Sequence, residues 1–214
     1  MLKADFHIHT RYSMDCSTQL EDIVSRCHKT GINCVNICDH DAIQGAIELK
    51  AMAPFTVIVS EEILTPHGEI MGMFLRERIP SGVSVEQAIL RIKEQGGLVC
   101  IPHPFDGFRG LKMELEDVEK LAGQIDVMEI FNARSTLLRC YTKAKAFAAR
   151  HDIPGTAGSD AHSASEIGRT YVEMPEFGGP ENFIVALRQG NLHKQKAGIA
   201  VHLSSTLARI RKSI

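Results

Sequence analysis

The predicted first strand of this chain leads into Asp5–Thr10 (DFHIHT), and a second short stretch, Gly158–His162 (GSDAH), follows far downstream. Side chains alternate between the two faces of an extended strand, so His7 and His9 point the same way while Ile8 points into the packing behind them. Two imidazoles at one strand end form half of a metal site, and the second stretch repeats that arrangement with one carboxylate and one imidazole. Taken alone, a His-x-His pair more often marks two hydrogen-bonded structural histidines, so the other strands decide the interpretation.

The composition is typical of a globular domain in water. The chain has 214 residues, of which 44% are hydrophobic and 23% charged, enough for one domain with a substantial core. A formal net charge of −2 argues against nucleic acid or an anionic membrane as the main partner. No apolar run reaches the length of a membrane span and Met1–Asp5 does not resemble a signal peptide, so a cytoplasmic location is expected.

The cysteines are expected to be reduced core residues. All 6 lie in hydrophobic segments without the paired spacing of zinc fingers, and a domain of this size does not depend on disulfides.

Apolar strands alternate with amphipathic helices along the whole chain. Predicted strands include Ile32–Cys38, Phe55–Val59, Ile70–Leu75, Leu98–Ile101 and Val127–Phe131. The helix after the first strand is expected to begin with a capping box formed by Thr18 and Glu21. This alternation predicts an α/β fold in which parallel strands are joined by helical crossovers, and about seven such units would close or nearly close a barrel.

Residues able to bind a metal fall mostly just after the predicted strands, where α/β barrels place their chemistry. Five histidines and four carboxylates share these positions: His7, His9, Asp15, His40, Glu62, His103, Glu129, Asp160 and His162. A mixed nitrogen and oxygen set of this size exceeds the needs of one tetrahedral ion, so it predicts two or three divalent metals with bridging carboxylates. Such a cluster could acidify a bound water and neutralise the charge of a phosphate group.

The same residues resemble the motifs of the PHP (polymerase and histidinol phosphatase) family. The resemblance runs from about Leu2 to Gly190, and all nine expected metal-ligand positions are filled. It implies a distorted seven-stranded (β/α)7 TIM-like barrel with a trinuclear metal centre that hydrolyses phosphate esters. The barrel domain is expected to cover residues 1–200, with a helical extension at 201–214.

The resemblance also implies how three metals share the ligands. The first metal would be held by His7, His9, Glu62 and Asp160; Glu62 would bridge to a second, completed by His103 and Glu129; and Asp15, His40 and His162 would hold the third. Imidazole and carboxylate ligands suit manganese, iron and zinc alike, so the identity of the metals stays open.

Two positions depart from the family pattern. The third strand usually carries Gly-x-Glu, whereas this chain has Ser60–Glu62; strand register assigns the ligand to Glu62, and Glu61 is the alternative because the two cannot both point inward. The second strand usually ends in Thr-Asp-His, and Cys38 replaces the threonine. We interpret Cys38 as a packed strand residue rather than a ligand.

Candidate substrate-binding residues follow the Glu129 strand. Asn132 and Arg134 resemble the Glu-x-x-Asn-x-Arg pattern of shorter phosphatases in the family. A guanidinium can bind phosphate through a bidentate fork, which makes Arg134 a candidate phosphate ligand, with a surface ion pair as the alternative. Weaker substrate candidates are Arg109, Arg169 and His67, and for His67 an exposed turn position next to Gly68 is the preferred interpretation. Asp39 and Asp41 could orient ligand imidazoles or, for Asp41, cap the following helix.

The C-terminal residues form an apolar helical stripe. Its members are Leu203, Leu207, Ile210 and Ile214, beside Arg209, Arg211 and Lys212. We expect this stripe to pack on the barrel, and a contact between two copies in a homo-oligomer is the alternative. A nucleic-acid role for so short a basic segment is not expected.

The sequence therefore predicts a hydrolase of phosphoric esters that acts on a small phosphorylated metabolite or nucleotide. A hydroxide held between the metals would attack phosphorus, while a metal and Arg134 neutralise the transferred group. Histidinol phosphatase and an exonuclease for short oligonucleotides are the enzymatic alternatives, and the near-neutral charge weakens the second. A metal-stabilised interaction module is the non-enzymatic alternative.

Overall fold

The computed structural model describes residues 1–106, 115–135, 138–196 and residue 212. Nine strands are found there: β1 Leu2–Ile8, β2 Cys34–His40, β3 Thr56–Thr65, β4 Gly68–Met73, β5 Leu98–Ile101, β6 Val127–Asn132, β7 Gly155–Gly158, β8 Tyr171–Met174 and β9 Asn191–His193. Six helices accompany them in that part of the chain: α1 Leu20–Thr30, α2 Gln44–Met52, α3 Val85–Glu94, α4 Leu115–Leu121, α5 Leu138–Arg150 and α6 Pro180–Arg188.

The strands form one sheet that curls into a nearly closed barrel. Their order is β7-β6-β5-β4-β3-β2-β1-β8-β9, so five strands separate β1 from β7 along the sheet. The segment after β7 nevertheless returns to β1: Ile8 and Ala161 form a parallel bridge. The amide of His9 donates to the carbonyl of Ala161 at 2.9 Å. The predicted α/β class and distorted TIM-like barrel are confirmed.

The prediction of parallel strands throughout was wrong at β8, which pairs antiparallel with both β1 and β9, and at β4. This strand pairs antiparallel with both β3 and β5, and only Pro66 and His67 separate it from β3. A parallel pair needs a crossover of a dozen or more residues, so a two-residue connection forces a hairpin. As a consequence, the first residues of β4 lie at the same edge of the sheet as the last residues of β3.

Strand alternation divides the core into two clusters. The first cluster lies between the strands and the helices and includes Val35, Ile37, Val57 and Val59. The alternate strand residues belong to a second cluster, which includes Cys34, Cys38, Ile58 and Met71. Helix α6 packs against this second cluster through Phe183. In β1, Phe6 belongs to the second cluster and Ile8 to the first, and the register with β2 shifts between Asp5 and Ile8. All six cysteines are buried and free, as expected.

The capping box predicted at Thr18 was wrong. Helix α1 begins after Gln19 without a side-chain cap, and the hydroxyl of Thr18 donates to the carbonyl of His162 at 3.1 Å instead. Thr18 therefore fastens the loop after β1 to the second histidine stretch, because a serine or threonine side chain can bond to any backbone group within reach.

No helix in the described ranges is long and apolar enough to cross a membrane. The predicted C-terminal stripe at Leu203, Leu207, Ile210 and Ile214 lies outside the described residues, as do Arg109, Arg209 and Arg211. Lys212 is described, and its ammonium donates to the carbonyl oxygens of Arg11 and Ser13 at 2.5 and 2.6 Å.

Candidate metal centre

Four donor atoms from three separate parts of the barrel converge in its interior. Nε2 of His7 lies 3.2 Å from Nε2 of His9. Each of these nitrogens is 3.4 Å from Oε2 of Glu62, and they lie 3.7 and 3.5 Å from Oδ1 of Asp160. Ligands that each sit about 2.1 Å from a tetrahedral cation are about 3.4 Å apart, so this spacing fits a divalent metal.

The bonding of Glu62 supports that fit. Its side chain is 1% exposed, and Oε2 has no hydrogen-bond donor among the residues that the structure describes. A buried carboxylate oxygen without a donor is costly unless a cation or water faces it. This oxygen is the one that the two imidazoles surround.

A second group lies beside the first, towards the loop after β1. Oδ2 of Asp15 is 3.1 Å from Nε2 of His162 and 3.5 Å from Nε2 of His40. Ser13 holds this loop in place, because its hydroxyl donates to Asp15 at 3.0 Å and accepts the backbone N–H of His40 at 3.2 Å. These ligand atoms and the imidazole of His9 all lie within 4.8 Å of one another.

A third group surrounds the other oxygen of Glu62. Nε2 of His103 lies 2.9 Å from Oε1 of Glu62 and 3.4 Å from Oε2 of Glu69. Glu69 stands at the start of β4 and did not figure in the sequence prediction. Nδ1 of His40 lies 3.4 Å from Glu62 and 3.5 Å from Glu69, so the two carboxylates face the same pair of imidazoles.

Glu129 reaches the cluster from β6 by a different route. Its Oε1 lies 3.0 Å from Nδ1 of His7, the nitrogen on the far side of that ring from the other donors. Its Oε2 accepts the backbone N–H of His103 at 2.6 Å and the amide of Asn132 at 3.0 Å. Asn132 also donates to Asp160 at 3.2 Å, so it braces two carboxylates at once.

The structure thus brings all nine predicted ligand residues into one connected cluster of side chains. Their joint position follows from the barrel, because parallel strands present their carboxyl ends at one edge. Glu61 faces elsewhere: its Oε2 accepts the backbone N–H of Ile79 at 2.8 Å, and Arg78 lies 3.8 Å from its other oxygen. Cys38 lies next to His7 and His9, and burial raises the pKa of its thiol to about 12, which keeps it neutral.

Arg134 is buried beside the cluster and not at the surface. Its side chain is 2% exposed, with Nε 3.5 Å from Oε2 of Glu166. Its Nη1 lies 2.5 Å from Nδ1 of His162. The surface ion pair considered for Arg134 is therefore wrong, and its guanidinium stands where it could meet an anion near His162.

Other predicted substrate and orienting residues lie apart from the donor cluster. His67 is exposed in the turn before β4, and Arg169 donates to the carbonyl of Ser165 at 3.4 Å. Both oxygens of Asp39 accept from Thr10, at 2.6 and 2.7 Å, and Asp41 accepts the backbone N–H of Leu64 at 3.2 Å. The predicted orientation of imidazoles by these aspartates and the helix cap at Asp41 were wrong; Asp39 instead holds Thr10, and Asp41 bonds to the backbone of β3.

The surroundings shift the pKa values of two imidazoles in the cluster in opposite directions. Burial lowers the pKa of His40, but the hydrogen bond that its imidazole donates to Asp15 and the charges of Glu62 and Glu69 outweigh burial and raise the pKa to about 10. His9 behaves oppositely: burial and the imidazoles of His162 and His40 lower its pKa to about 3. A neutral imidazole next to several carboxylates can offer its lone pair to a cation.

Gly158 is the residue that lets β7 approach His7. A methyl group at Gly158 would lie 2.3 Å from Cβ and 2.6 Å from the backbone nitrogen of His7. We expect Gly158→Ala to reduce the free energy of unfolding by about 1–3 kcal/mol, the usual range for overpacking, and to displace the His7 imidazole. Urea unfolding and metal affinity measure the two effects.

Gly123→Ala is the matched control, because a methyl group there would meet no atom within 4 Å. Its stability and metal affinity should equal those of the unchanged protein. An unchanged metal affinity in Gly158→Ala would contradict the inference that the close approach of Gly158 fixes the position of the His7 imidazole.

Comparison with known families finds two matches along the chain. Residues 5–59 match the model of the PHP domain, and residues 141–192 match a model described as PHP-associated. These ranges contain β2, β7 and β8, most of β1 and the first residues of β3, together with six of the nine predicted ligands and both histidine-containing stretches.

Two uncharacterized proteins of Methanocaldococcus jannaschii are similar to this chain. One is 38% identical over 146 residues, covering 62% of this chain and 82% of that protein. The other is 33% identical over 179 residues, covering 82% of this chain and 71% of that protein.

The fold also resembles a solved two-domain protein from Bacteroides vulgatus, described as containing a predicted PHP-like metal-dependent phosphoesterase. The TM-score is 0.73 at 16% sequence identity, and the match covers 90% of this chain. The chain spans less than two thirds of that protein, 64% of its length.

Proposed function

Because the chain belongs to the PHP family, a family of metal-dependent phosphoesterases, we propose that it hydrolyses a small phosphate ester such as a nucleotide or a phosphorylated metabolite. The observation that carries the proposal is the group formed by His7, His9, Glu62 and Asp160. The distances from the two imidazole nitrogens to each other and to the carboxylate oxygens are 3.2–3.7 Å, which matches the spacing of ligands around a tetrahedral cation. Two further groups of donors share residues with it, which supports a centre with more than one ion.

The residues divide among three metal positions. His7, His9, Glu62 and Asp160 would hold one divalent ion, Glu62 and His103 a second, and Asp15, His40 and His162 a third. Manganese, iron and zinc all suit such ligands. When bound, ions of this kind act as Lewis acids that polarise phosphoryl oxygens and acidify water.

The remaining residues of the site would orient the ligands and receive the substrate. Asn132 donates to both Glu129 and Asp160, which fixes these carboxylates towards the imidazoles. Arg134 is held by Glu166 on one side and lies against His162 on the other. Its charge would bind a phosphoryl oxygen and balance the negative charge that the ester brings.

Arg134→Lys is expected to lower kcat/KM for a phosphate ester by about 10²-fold, because lysine keeps the charge but loses the planar fork. The metal content should stay unchanged, since the guanidinium is not a ligand. The matched control is Arg150→Lys at an exposed ion pair with Glu119, where no change is expected. Loss of metal from Arg134→Lys would show a structural role instead of substrate binding.

The proposed function is tested by measuring phosphate release after loading the purified protein with manganese, iron or zinc. The panel should contain nucleoside monophosphates, sugar phosphates, bisphosphates, a phosphodiester and histidinol phosphate. A parallel arm follows nucleotide release from short single-stranded oligonucleotides. Hydrolysis of small monoesters or bisphosphates supports the proposal.

Other outcomes would redirect or overturn the proposal. Release of nucleotides from oligonucleotides without monoesterase activity would make the protein an exonuclease, and turnover of histidinol phosphate alone would make it a histidinol phosphatase. Tight metal binding with no turnover in any arm would leave a metal-stabilised interaction module.

A further inference from the structure

Glu166 is a buried carboxylate beside the site that none of the three metal positions uses. Its side chain is fully buried, and it ends the short 3-10 turn Ala164–Glu166, four residues after His162. A buried carboxylate is costly unless it is paired or hydrogen-bonded. Its contacts therefore indicate why the fold keeps a charge there.

The two oxygens of Glu166 make different contacts. Oε1 accepts the backbone N–H of His162 at 3.2 Å and the hydroxyl of Ser163 at 2.9 Å. Oε2 has no hydrogen-bond donor among the residues that the structure describes, and it lies 3.5 Å from Nε of Arg134. One oxygen thus holds the backbone of a predicted ligand, and the other forms an ion pair with the candidate phosphate-binding residue.

The turn that carries Glu166 is fastened from two sides. Nε of Arg26 in α1 donates to the carbonyl of Ile167 at 3.2 Å. Oδ2 of Asp5 in β1 accepts the backbone N–H of Gly168 at 3.1 Å. A charge held in a fixed place orients its partner without reorganisation when a ligand arrives.

The position of Arg134 depends on which carboxylate holds it. Nη1 lies 2.5 Å from Nδ1 of His162, while Glu166 lies at the Nε side of the same guanidinium. Asp15 and Asp160 are the competing anions, because their oxygens lie 3.1 and 3.4 Å from nitrogens of the same imidazole. Without Glu166, the long and flexible arginine side chain would be drawn towards these two carboxylates.

We propose that Glu166 is a positioning residue for Arg134, which it holds at Nε so that the other end of the guanidinium meets a phosphoryl oxygen beside His162. The inference rests on the proposed function in that it takes Arg134 as the phosphate ligand from it. It adds a residue that touches neither metal nor substrate and that the sequence pattern did not mark.

The test measures phosphate binding instead of turnover. Isothermal titration calorimetry gives the affinity of the Mn²⁺-loaded protein for inorganic phosphate, and equilibrium dialysis gives the number of Mn²⁺ ions bound. In Glu166→Gln the amide oxygen can still accept from His162 and Ser163, but the charge that faces Arg134 is lost. We expect an unchanged number of ions and a phosphate affinity about 10–100-fold lower.

A double variant separates positioning from a general effect on the fold. In an Arg134→Gln background, Glu166→Gln should lower the phosphate affinity no further, because the guanidinium to be positioned is absent. A residue that only stabilised the fold would lower the affinity by the same factor in both backgrounds.

Two further variants complete the set. Glu119→Gln is the matched control, because it removes the carboxylate of an exposed pair with Arg150 and should leave the phosphate affinity unchanged. Glu166→Asp keeps the charge on a shorter side chain, so its phosphate affinity should fall between those of the unchanged chain and Glu166→Gln. This variant carries the test if the amide does not fold.

The assignment is overturned if the Glu166 variants bind phosphate like the unchanged chain, if they bind fewer Mn²⁺ ions, or if the losses in the double variant multiply. Its failure is distinguishable from that of the proposed function. A protein that shows these phosphate affinities but hydrolyses no ester would remove the proposed activity and leave the role of Glu166 standing. Ester hydrolysis with no effect of Glu166 would do the reverse.

Discussion

Glu62→Gln is expected to lower phosphate release by a factor on the order of 10³ or more, the largest effect of any single substitution in the site. The carboxylate of Glu62 faces four imidazoles: Oε2 lies 3.4 Å from His7, His9 and His40, and Oε1 lies 2.9 Å from His103. A neutral amide of the same shape removes the charge and leaves a single oxygen ligand. Steady-state kinetics with the Mn²⁺-loaded protein and elemental analysis measure the loss of turnover and of metal together.

The adjacent residue supplies the matched control. Glu61→Gln makes the same isosteric change one position earlier, but Glu61 accepts a backbone hydrogen bond from Ile79 at the opposite face of β3. The amide can still accept that bond, so phosphate release should be unchanged. Equal losses in both variants, or a loss only in Glu61→Gln, would contradict the register that places Glu62 among the ligands.

Removal of metal is expected to have the second large effect on phosphate release. Chelation should abolish phosphate release and lower the melting temperature by about 5–11 °C relative to protein in metal at a hundredfold excess over Kd. That excess stabilises the folded state by about 2.7 kcal/mol, and each kcal/mol corresponds to about 2–4 °C in a protein of this size. Burial and crowding of Glu62, Glu129 and Asp160 add to the effect, because a cation offsets their mutual repulsion.

Differential scanning calorimetry before and after chelation measures the shift, and separate reloading with manganese, iron or zinc shows which ion restores turnover. The Glu62→Gln variant should show a smaller metal-dependent shift. Undiminished phosphate release by fully chelated protein would contradict a metal-dependent mechanism.

The barrel and the position of most site residues could be predicted from the sequence for one reason. In a parallel α/β barrel the direction of each strand is fixed, so a polar residue that follows an apolar strand must lie at the carboxyl edge. His7, His103 and Asp160 all obey this rule, and the structure places their side chains in one cluster.

Glu69 could not be predicted by the same rule because its strand, β4, runs in the opposite direction to its neighbours. In an antiparallel strand it is the beginning, not the end, that meets the carboxyl edges of its parallel neighbours, so a rule that inspects only strand ends passes over it. The sequence pattern also started this strand at Ile70, whereas β4 begins at Gly68. The two-residue spacing between Thr65 and Gly68 is the signal that could have indicated a hairpin.

The direction of the Glu129 side chain could not be predicted from the sequence pattern either. The pairing of β6 with β7 shifts register between Glu129 and Phe131, which alters where a side chain points without leaving a mark in the hydrophobic pattern. Asp39 and Asp41 show a related limit: an aspartate next to a metal ligand in sequence can equally accept a backbone N–H, as Asp39 does from Thr10 and Asp41 from Leu64.

The return of the segment after β7 to β1 also has a consequence for how the protein is made. Oδ1 of Asp5 accepts the backbone N–H of Ser159, a contact that spans 154 residues of sequence. Contacts of such long range form slowly, since a large loop must close, at a cost in conformational entropy, before these contacts can stabilise the fold. During synthesis the first histidines therefore leave the ribosome long before Asp160, and the proposed set of metal ligands would be complete only after nearly the whole barrel has emerged.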